Sequence, residues 1–270
     1  MGFTRIEVEP LTATIGALVG DVDLREPLDD EIVAEITAAW HEHKVLFFRH
    51  QPISRDDHKR FAQYFGELYQ HPYLKEITSD PDFVELYTGG ESGSRYLASA
   101  WHTDVTFTEC PPMGSILHAV KVPEYGGDTM WIDLQAAYDG LSATMQRLAS
   151  ELVAVHSAPK AGFVAGDTSG DSITSHHPVV RTHPATGRKC LFVNPGFTRA
   201  IDGMSARESN ALLGFFHEHC QKPEYQVRVH WTTDTVAMWD NCCTQHKVVA
   251  DNPAAPRKME RLTLQGTRPF

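Results

Sequence analysis

A chain of 270 residues without a Ser/Gly/Pro-rich linker or an internal repeat has the length of one large domain, so we expect a single domain across residues 1–270. The formal net charge of −11 at pH 7 argues against a nucleic-acid-binding protein, since such proteins carry clustered Lys and Arg rather than a surplus of carboxylates. The chain has no apolar run of the roughly 18 residues that a membrane span requires, and its first residues lack the apolar stretch of a secretory signal, so we expect a cytoplasmic protein that binds no membrane.

The first part of the chain combines helical and strand patterns. Residues 29–43 place apolar side chains at helical spacing behind an acidic first turn, which predicts a helix. Residues 44–50 form an apolar run typical of a buried strand. Residues 54–68 predict a second helix, with Ser54 as its N-cap and large apolar side chains on one face.

After residue 68 the chain consists mainly of short alternating or β-branched runs separated by Gly, Pro and Asp. These runs are FVELYTG, VTFTE, SILHAV, DTMWID, HPVVRTH, CLFVN, QVRVHW, VAMWDN and RLTLQG. They predict a mainly β protein, a sandwich or a barrel, with further helices at residues 135–153 and 205–220. Residues 157–175 are rich in Gly, Ser and Ala, which predicts a mobile lid loop.

Five cysteines are present, and none lies in a CxxC pair. Reduced thiols are the expected state for such a chain. We interpret the adjacent Cys242 and Cys243 as two small residues on opposite faces of a strand, and a redox-sensitive pair is the alternative.

His102 and Asp104 stand two positions apart in the stretch SAWHTDVTFTE. If this stretch is a strand, both side chains project from one face and converge on one point. His246 is the best candidate for a third ligand, because it follows a predicted strand and turn that a closed sheet brings beside His102. Two histidines and one carboxylate form the facial triad of non-haem Fe(II) oxygenases, which leaves positions open for a co-substrate and O₂. The alternative is a hydrogen-bonded strand histidine beside a surface aspartate.

Two arginines follow the third candidate ligand in the segment APRKMERLTLQG. Strand alternation puts Arg257 and Arg261 on one face. Guanidinium groups bind carboxylates and sulfonates through paired, charge-assisted hydrogen bonds, so the two side chains predict two anion sites near one metal. A pair of surface arginines on an edge strand is the alternative interpretation.

Several motifs occur in one order along nearly the whole chain, from IGALVGDVDL to TLQGTRPF. They are WHTDVTF, GGDT with Trp131, HPVVRTHP, GFTRAI, WDN with TQH, and the closing arginines. Together they resemble the taurine dioxygenase (TauD/TfdA) family of Fe(II)- and 2-oxoglutarate-dependent dioxygenases. The resemblance implies a double-stranded β-helix, which is a jelly roll flanked by helices, and a homo-oligomer, either a dimer or a tetramer. The activity it implies is hydroxylation of a small anionic organic substrate by O₂, while 2-oxoglutarate is decarboxylated to succinate.

The resemblance also implies roles for individual residues at the metal. His102, Asp104 and His246 would bind Fe(II) and form the catalytic centre. Arg257 would pair with the distal carboxylate of 2-oxoglutarate, helped by the hydroxyl of Thr129. Judged without the resemblance, Thr129 is a strand residue after a Gly-Gly turn.

Four further residues would contact the substrate, as the resemblance implies. Arg261 and His71 would hold its acidic group, and Val105 and Phe197 would line its pocket. Judged without the resemblance, His71 is a loop histidine and Phe197 is a core residue.

Two departures from taurine dioxygenase concern the amine end of taurine. Leu74 and Ala98 stand where taurine dioxygenase has Tyr and Asn. The loss of both polar groups predicts a more apolar substrate, with Tyr73 as a substitute that keeps taurine open. We expect a sulfonate, either taurine or an alkylsulfonate, which would release an aldehyde and sulfite. An alkyl sulfate ester or an organic carboxylate is the alternative, and a zinc hydrolase or a metal-containing jelly-roll binding protein is more distant.

Overall fold

The computed structural model describes residues 2–75, 79–89, 99–164 and 167–270. Within these residues the chain forms fifteen β-strands and five α-helices. The strands are β1 (Glu7–Pro10), β2 (Ala17–Gly20), β3 (Val45–Phe48), β4 (Val84–Thr88), β5 (Gly114–Lys121), β6 (Thr129–Asp133), β7 (Val153–Pro159), β8 (Ser172–Pro178), β9 (Val180–Thr182), β10 (Lys189–Leu191), β11 (Thr198–Ile201), β12 (Gln226–Val229), β13 (Val236–Asp240), β14 (Thr244–Val248) and β15 (Arg257–Leu264). The helices are α1 (Asp30–His43), α2 (Arg55–Gln63), α3 (Leu134–Asp139), α4 (Ala143–Ser150) and α5 (Ala206–Cys220).

Two sheets face each other across an apolar layer. The larger has seven strands in the order β1-β2-β3-β13-β5-β15-β4, and the smaller has the order β12-β6-β14. Trp131 of β6 meets Phe47 of β3 and Trp239 of β13, with ring centroids 5.2 and 6.0 Å apart. Two small sheets, β11-β7-β8 and β10-β9, complete the structure. Facing sheets with this non-sequential strand order form a jelly roll, so the predicted fold is confirmed.

Helices cover the outer faces of these sheets. Helices α1 and α2 pack on the large sheet through an apolar cluster that includes Trp40, Phe48 and Phe61. Helices α3 and α5 pack on the other side of the small sheet, where Leu213 and Phe216 of α5 are buried. The apolar face of α5 therefore belongs to the core, and the dimer or tetramer stays a prediction. Among the described helices, none has the length and apolar character to cross a membrane.

Helix boundaries follow from caps that the sequence carries. Asp29 caps α1 by accepting from the Ile32 amide, and Ser205 begins α5 in a capping box with Glu208. The helix predicted at residues 135–153 is instead two helices. Helix α3 ends at Asp139 with Gly140 as its C-cap, and Ser142 caps α4 by accepting from the backbone amide of Met145. Gly140 favours the end of a helix and Ser142 favours the beginning of the next.

The strand predicted at VTFTE is wrong. Val105 has a φ of 53°, a conformation that β-branched residues rarely adopt, and the Thr108 amide and hydroxyl both donate to the Val105 carbonyl at 3.1 and 3.0 Å. The segment is therefore a buried turn. Cys242 and Cys243 also lie in a buried turn, between β13 and β14, rather than on opposite faces of a strand.

The predicted lid loop at residues 157–175 is shorter than expected. Residues 157–159 belong to β7 and residues 172–175 to β8, which pair as a hairpin in the register Ser157↔Thr174. These ladder bonds stabilise both ends of the segment, so a loop remains only between the two strands. Residues 165 and 166 of that loop, and Ala98, lie outside the described residues, and the mobility of the lid stays a prediction.

Candidate active site

An isolated antiparallel bridge joins His102 to His246 of β14. The His102 amide donates to the His246 carbonyl at 3.1 Å, and the His246 amide donates to the His102 carbonyl at 2.8 Å. The Thr103 hydroxyl donates to the Thr244 carbonyl at 2.6 Å. The two imidazole rings consequently lie 4.2 Å apart, measured between centroids.

Asp104 lies at equal distance from both histidines. Its Oδ1 atom is 3.8 Å from Nε2 of His102 and 3.8 Å from Nε2 of His246, and all three side chains are buried. A separation of 3.8 Å is too long for a hydrogen bond. Two ligand atoms that each lie about 2.1 Å from one ion are at most about 4.2 Å apart, so Oδ1 can share a metal ion with either histidine nitrogen. The three ligand atoms all lie within 4.8 Å of one another.

The protonation states of these side chains also suit a metal. Nδ1 of His102 lies 2.9 Å from the Ala100 carbonyl, so it carries the proton and leaves the Nε2 lone pair toward Asp104. Burial lowers the pKa of His102 and that of His246, which keeps both rings neutral. Burial alone would raise the pKa of Asp104, but the nearby Arg261 guanidinium holds it below its ordinary value. The donor set is therefore two neutral imidazoles and one carboxylate.

Arg257 and Arg261 lie on the face of β15 that points between the sheets. Met259, midway between them, belongs to the apolar layer there, whereas Leu262 and Leu264 pack toward the helices. The predicted strand alternation is confirmed. Four residues of strand separate the arginines by about 13 Å, which is enough for two different anions.

Trp231 lies close to both Arg257 and Thr129. The guanidinium carbon of Arg257 is 6.0 Å from the Trp231 ring centroid, and the Trp231 indole N–H donates to the Thr129 hydroxyl at 2.9 Å. All three residues are buried. Gly127 also approaches Arg257, since a Cβ built on it would be 3.7 Å from the arginine Cδ. Trp231 was not predicted as a site residue, although it is the conspicuous large residue at the end of the run QVRVHW.

Arg261 contacts the candidate metal ligand directly. Its Nη1 donates to Oδ1 of Asp104 at 2.7 Å, and its Nε is buried without a hydrogen-bond partner among the described residues. The predicted substrate arginine therefore lies immediately beside the candidate metal centre.

His71 lies against an aromatic cluster formed by Tyr73, Phe107, Phe163 and Phe197. Its ring is 4.9 Å from that of Phe163. Its Nδ1 accepts from the amides of Tyr73 and Leu74, so the proton of the neutral ring sits on Nε2. Burial, with a smaller effect from Arg261, lowers the pKa of His71 to about 3. At neutral pH this histidine is a hydrogen-bond donor without charge.

The aromatic cluster reaches the candidate metal site through Phe197, whose ring centroid is 6.0 Å from that of His102. Gly196 permits this approach, because a Cβ on it would be only 2.7 Å from the His102 Cβ. Val105, in the turn after Asp104, is buried in the same cluster. The structure thus brings the predicted pocket residues together, and it adds Phe107 and Phe163, which the sequence analysis did not single out.

Tyr73 uses its hydroxyl to hold the β7–β8 hairpin. The hydroxyl donates to the Ala158 carbonyl at 3.0 Å and accepts from the Ile173 amide at 2.8 Å. These two residues are cross-strand partners. Tyr73 therefore contributes its ring to the pocket, and its hydroxyl does not replace the tyrosine that is absent at Leu74.

A second buried group of metal-ligand type consists of His183, Asp240 and Cys243. His183 accepts two backbone amides on Nδ1, so its Nε2–H donates to Asp240 at 2.7 Å. Asp240 also accepts from the Cys242 amide at 2.7 Å. His183 and Asp240 are therefore paired with each other and with backbone amides, and these hydrogen bonds stabilise the turn before β14. We assign the three residues a structural role.

The fold and this site together define a class of protein. A jelly roll that holds two neutral histidines and a carboxylate around one point has the facial triad of non-haem metal oxygenases. The family model for the taurine catabolism dioxygenase TauD, TfdA family matches residues 7–263, and the chain belongs to this family.

Individual relatives agree with that assignment. The chain is 36% identical to an alpha-ketoglutarate-dependent sulfate ester dioxygenase of Pseudomonas putida, over 98% of this chain and 91% of the relative. It is 35% identical to an alkylsulfatase of Acinetobacter baylyi, over 97% of this chain and 86% of the relative. The crystal structure of a taurine dioxygenase from Burkholderia xenovorans matches with a TM-score of 0.87 and 37% identity, covering 99% of this chain and 91% of that one. The protein is a 2-oxoglutarate-dependent dioxygenase, and the family implies Fe(II) as its metal.

Proposed function

We propose that His102, Asp104 and His246 bind Fe(II), and that the enzyme hydroxylates the carbon beside the sulfur group of an alkylsulfonate. The separation of 3.8 Å between Asp104 Oδ1 and each histidine Nε2 carries this proposal. When bound, Fe(II) and 2-oxoglutarate supply the activation of O₂, and the 2-oxoglutarate leaves as succinate and CO₂. The chain supplies the two anion sites, the pocket and the exclusion of water.

Arg257 and Thr129 hold the distal carboxylate of 2-oxoglutarate in this proposal. Water screens the attraction between a buried guanidinium and a carboxylate less than it does at an exposed site. Each charge-assisted hydrogen bond contributes about 1.5–3 kcal/mol. The indole of Trp231 donates to the Thr129 hydroxyl, so the hydroxyl proton is directed away from Trp231 and is available to an anion.

Arg261 and His71 hold the sulfonate. Arg261 offers charge, and the neutral His71 offers the Nε2–H donor described above. A neutral donor suits this position, because it binds an anion without placing a second buried positive charge beside the metal. Holding the anion in this way directs the neighbouring C–H bond toward the metal, and this orientation is the main contribution of the pocket to the rate.

The aromatic cluster lines the space for the rest of the substrate. Tyr73 and Phe107 are buried there, and Phe163 and Phe197 are partly buried. Such a wall favours an alkyl chain over the strongly hydrated ammonium group of taurine. An alkyl sulfate ester is the second candidate, since the relatives from Pseudomonas putida and Acinetobacter baylyi are named for sulfate esters or for alkylsulfatase activity. An organic carboxylate fits the same anion site.

The two more distant alternatives explain less of the site. A zinc hydrolase has no use for the second anion site at Arg257 and Thr129, and a structural metal is normally surrounded by four protein ligands. Family membership also favours the dioxygenase over both.

The proposal includes a cytoplasmic location, which is supported by the five free cysteines, since free thiols persist in reducing compartments.

The test is anaerobic reconstitution with Fe(II) and 2-oxoglutarate, followed by O₂ and one substrate from a matched set. Hexanesulfonate, hexyl sulfate and hexanoate share an apolar chain and differ in the anion, and taurine adds the amine. Binding should produce the visible metal-to-ligand charge-transfer band, and succinate should depend on substrate. Hexanal with sulfite identifies a sulfonate enzyme, and hexanal with sulfate identifies a sulfate ester enzyme.

The variant Asp104→Asn is the control for the metal site, because it keeps the shape of the side chain and loses its charge. Asp56→Asn is matched to it on the exposed side of α2. We expect no band and no succinate from the first and wild-type behaviour from the second. A wild-type protein that is reduced and iron-loaded, yet gives neither band nor succinate, would contradict the proposed function.

A further inference from the structure

A chain of buried hydrogen bonds ends at Oδ2 of Asp104, the second oxygen of this carboxylate. Ser115 Oγ donates to Oδ2 of Asp104 at 2.7 Å. Asn241 Nδ2 donates to Ser115 Oγ at 2.9 Å, and Trp239 Nε1 donates to Asn241 Oδ1 at 3.0 Å. All of these residues are buried, so no solvent competes for the bonds.

The direction of every bond in this chain follows from chemistry. An indole N–H only donates, so Trp239 must face the carbonyl oxygen of Asn241, and the amide NH₂ must then face Ser115. Because Ser115 accepts from Asn241, its own hydroxyl proton is free to donate to Asp104. The chain therefore delivers a hydrogen bond to one oxygen of the carboxylate.

Regular structure holds the donors in place. Ser115 of β5 and Trp239 of β13 are direct cross-strand partners in the large sheet. Asn241 lies in the turn after β13, and its amide donates to the Met113 carbonyl at 3.0 Å. The His183–Asp240 pair braces the same turn, as described above.

Trp239 also contacts a second candidate ligand. Its ring centroid is 4.8 Å from that of His246. One tryptophan thus packs against one ligand and, through Asn241 and Ser115, orients another. Side chains fixed on neighbouring strands give a more exact geometry than side chains on loops.

We propose that Ser115 and Asn241 are positioning residues that keep Asp104 bound to the metal through Oδ1 alone. This rests on the proposed function. The hydrogen bond from Ser115 fixes the orientation of the carboxylate, so turning Oδ2 toward the metal would break that bond. A triad of three single-atom ligands leaves three positions of an octahedral ion for 2-oxoglutarate and O₂, whereas a two-oxygen carboxylate would take one of them.

Ser115→Ala and Asn241→Ala test this, with Ser150→Ala and Asn210→Ala on exposed helix positions as matched controls. Three properties are measured: the Kd for Fe(II), the visible spectrum of the Co(II)-loaded protein, and the succinate formed per hexanal. We expect Ser115→Ala to raise the Kd about tenfold, because Asp104 loses the partner that orients it. The Co(II) spectrum should change, because the second carboxylate oxygen takes one of the open positions, and the amount of succinate formed per hexanal should rise. Asn241→Ala should act in the same direction and less strongly.

Asn241 acts mainly through Ser115, because its direct contact with Oδ2 of Asp104 is long, at 3.5 Å. The double variant should therefore bind Fe(II) little more weakly than Ser115→Ala alone. Full additivity would overturn the serial arrangement. A folded Ser115→Ala protein with wild-type Kd and Co(II) spectrum would overturn the positioning role, and Asn241→Ala decides in the same way if Ser115→Ala does not fold. Failure of the wild-type protein to bind Fe(II) would instead refute the proposed function, so the two failures are distinguishable.

Discussion

Arg261 donates to the same carboxylate oxygen of Asp104 that faces both histidines, with 2.7 Å between Nη1 and Oδ1. The guanidinium is thus within a few ångströms of any cation held at that oxygen. Two positive charges so close together repel, and burial limits the screening of that repulsion. Arg261 therefore favours an anion beside the metal at some cost to metal affinity.

Replacing Arg261 should consequently tighten metal binding while it weakens substrate binding. We expect Arg261→Ala to lower the Kd for Fe(II) by about threefold or more, since the repulsion is removed. Competition with a metal-chelating dye under anaerobic conditions measures this, and Arg207→Ala on the exposed face of α5 is the control. An Arg261→Ala protein that binds Fe(II) more weakly than wild type would show that the arginine mainly supports Asp104.

The two arginines should separate in steady-state kinetics. Arg257→Ala should raise the KM for 2-oxoglutarate by about 10- to 100-fold, which corresponds to the loss of one charge-assisted hydrogen bond. Arg261→Ala should raise the KM for the sulfonate or sulfate ester and leave the KM for 2-oxoglutarate within about threefold of wild type. Our separation of the two anion sites is wrong if both variants change the same parameter.

The sequence predicted the regular parts of this site and missed the irregular ones. The alternation of Arg257 and Arg261 was readable because β15 is a regular strand with distinct faces. Convergence of His102 and Asp104 was predicted from a strand that does not exist, and a turn with Val105 at positive φ produces it instead. A β-branched residue in that conformation contradicts local preference, so local patterns could not reveal it.

Long-range polar contacts were equally invisible to the sequence. The Tyr73 hydroxyl bonds to backbone atoms 85 and 100 residues away, and Asn241 reaches Ser115 across 126 residues. Hydrophobic periodicity reports which face of an element is buried, and it does not report which side chain meets another across the fold. The aromatic cluster was missed for the same reason, because Phe107 and Phe163 belong to a turn and a loop.

Tyr73 joins the pocket to the β7–β8 hairpin, so removing its hydroxyl should loosen the predicted lid. Two hydrogen bonds are lost in Tyr73→Phe, at about 0.5–1.5 kcal/mol each, while the ring remains. We expect faster proteolysis within residues 160–171 and more succinate formed per product, because the pocket closes less completely. Tyr125→Phe, at a residue that is 72% exposed, is the control. Equal proteolysis of both variants and wild type would mean that the hydroxyl does not hold the hairpin.

His58 makes the stability of the fold depend on pH in a defined direction. It lies on α2, where Nε2 is 3.2 Å from the Ile116 carbonyl, and burial, followed by the nearby His118, lowers its pKa to about 3 from the ordinary 6.5. Between these two values the unfolded chain binds a proton at His58 and the folded protein does not. The free energy of unfolding should therefore fall as the pH falls from 6.5 toward 3, by about 1.4 kcal/mol per unit for this one group.

His58→Gln isolates that contribution, because the amide can still donate to the Ile116 carbonyl and does not titrate. Urea unfolding at several pH values between about 4.5 and 7.5 measures the free energy of unfolding of both proteins. We expect the free energy of unfolding of the variant to fall less steeply with falling pH, by about 1.4 kcal/mol per pH unit. The difference in the free energy of unfolding between wild type and variant should therefore narrow under acidic conditions. Parallel profiles for the two proteins would mean that His58 becomes protonated inside the fold as readily as in the unfolded chain.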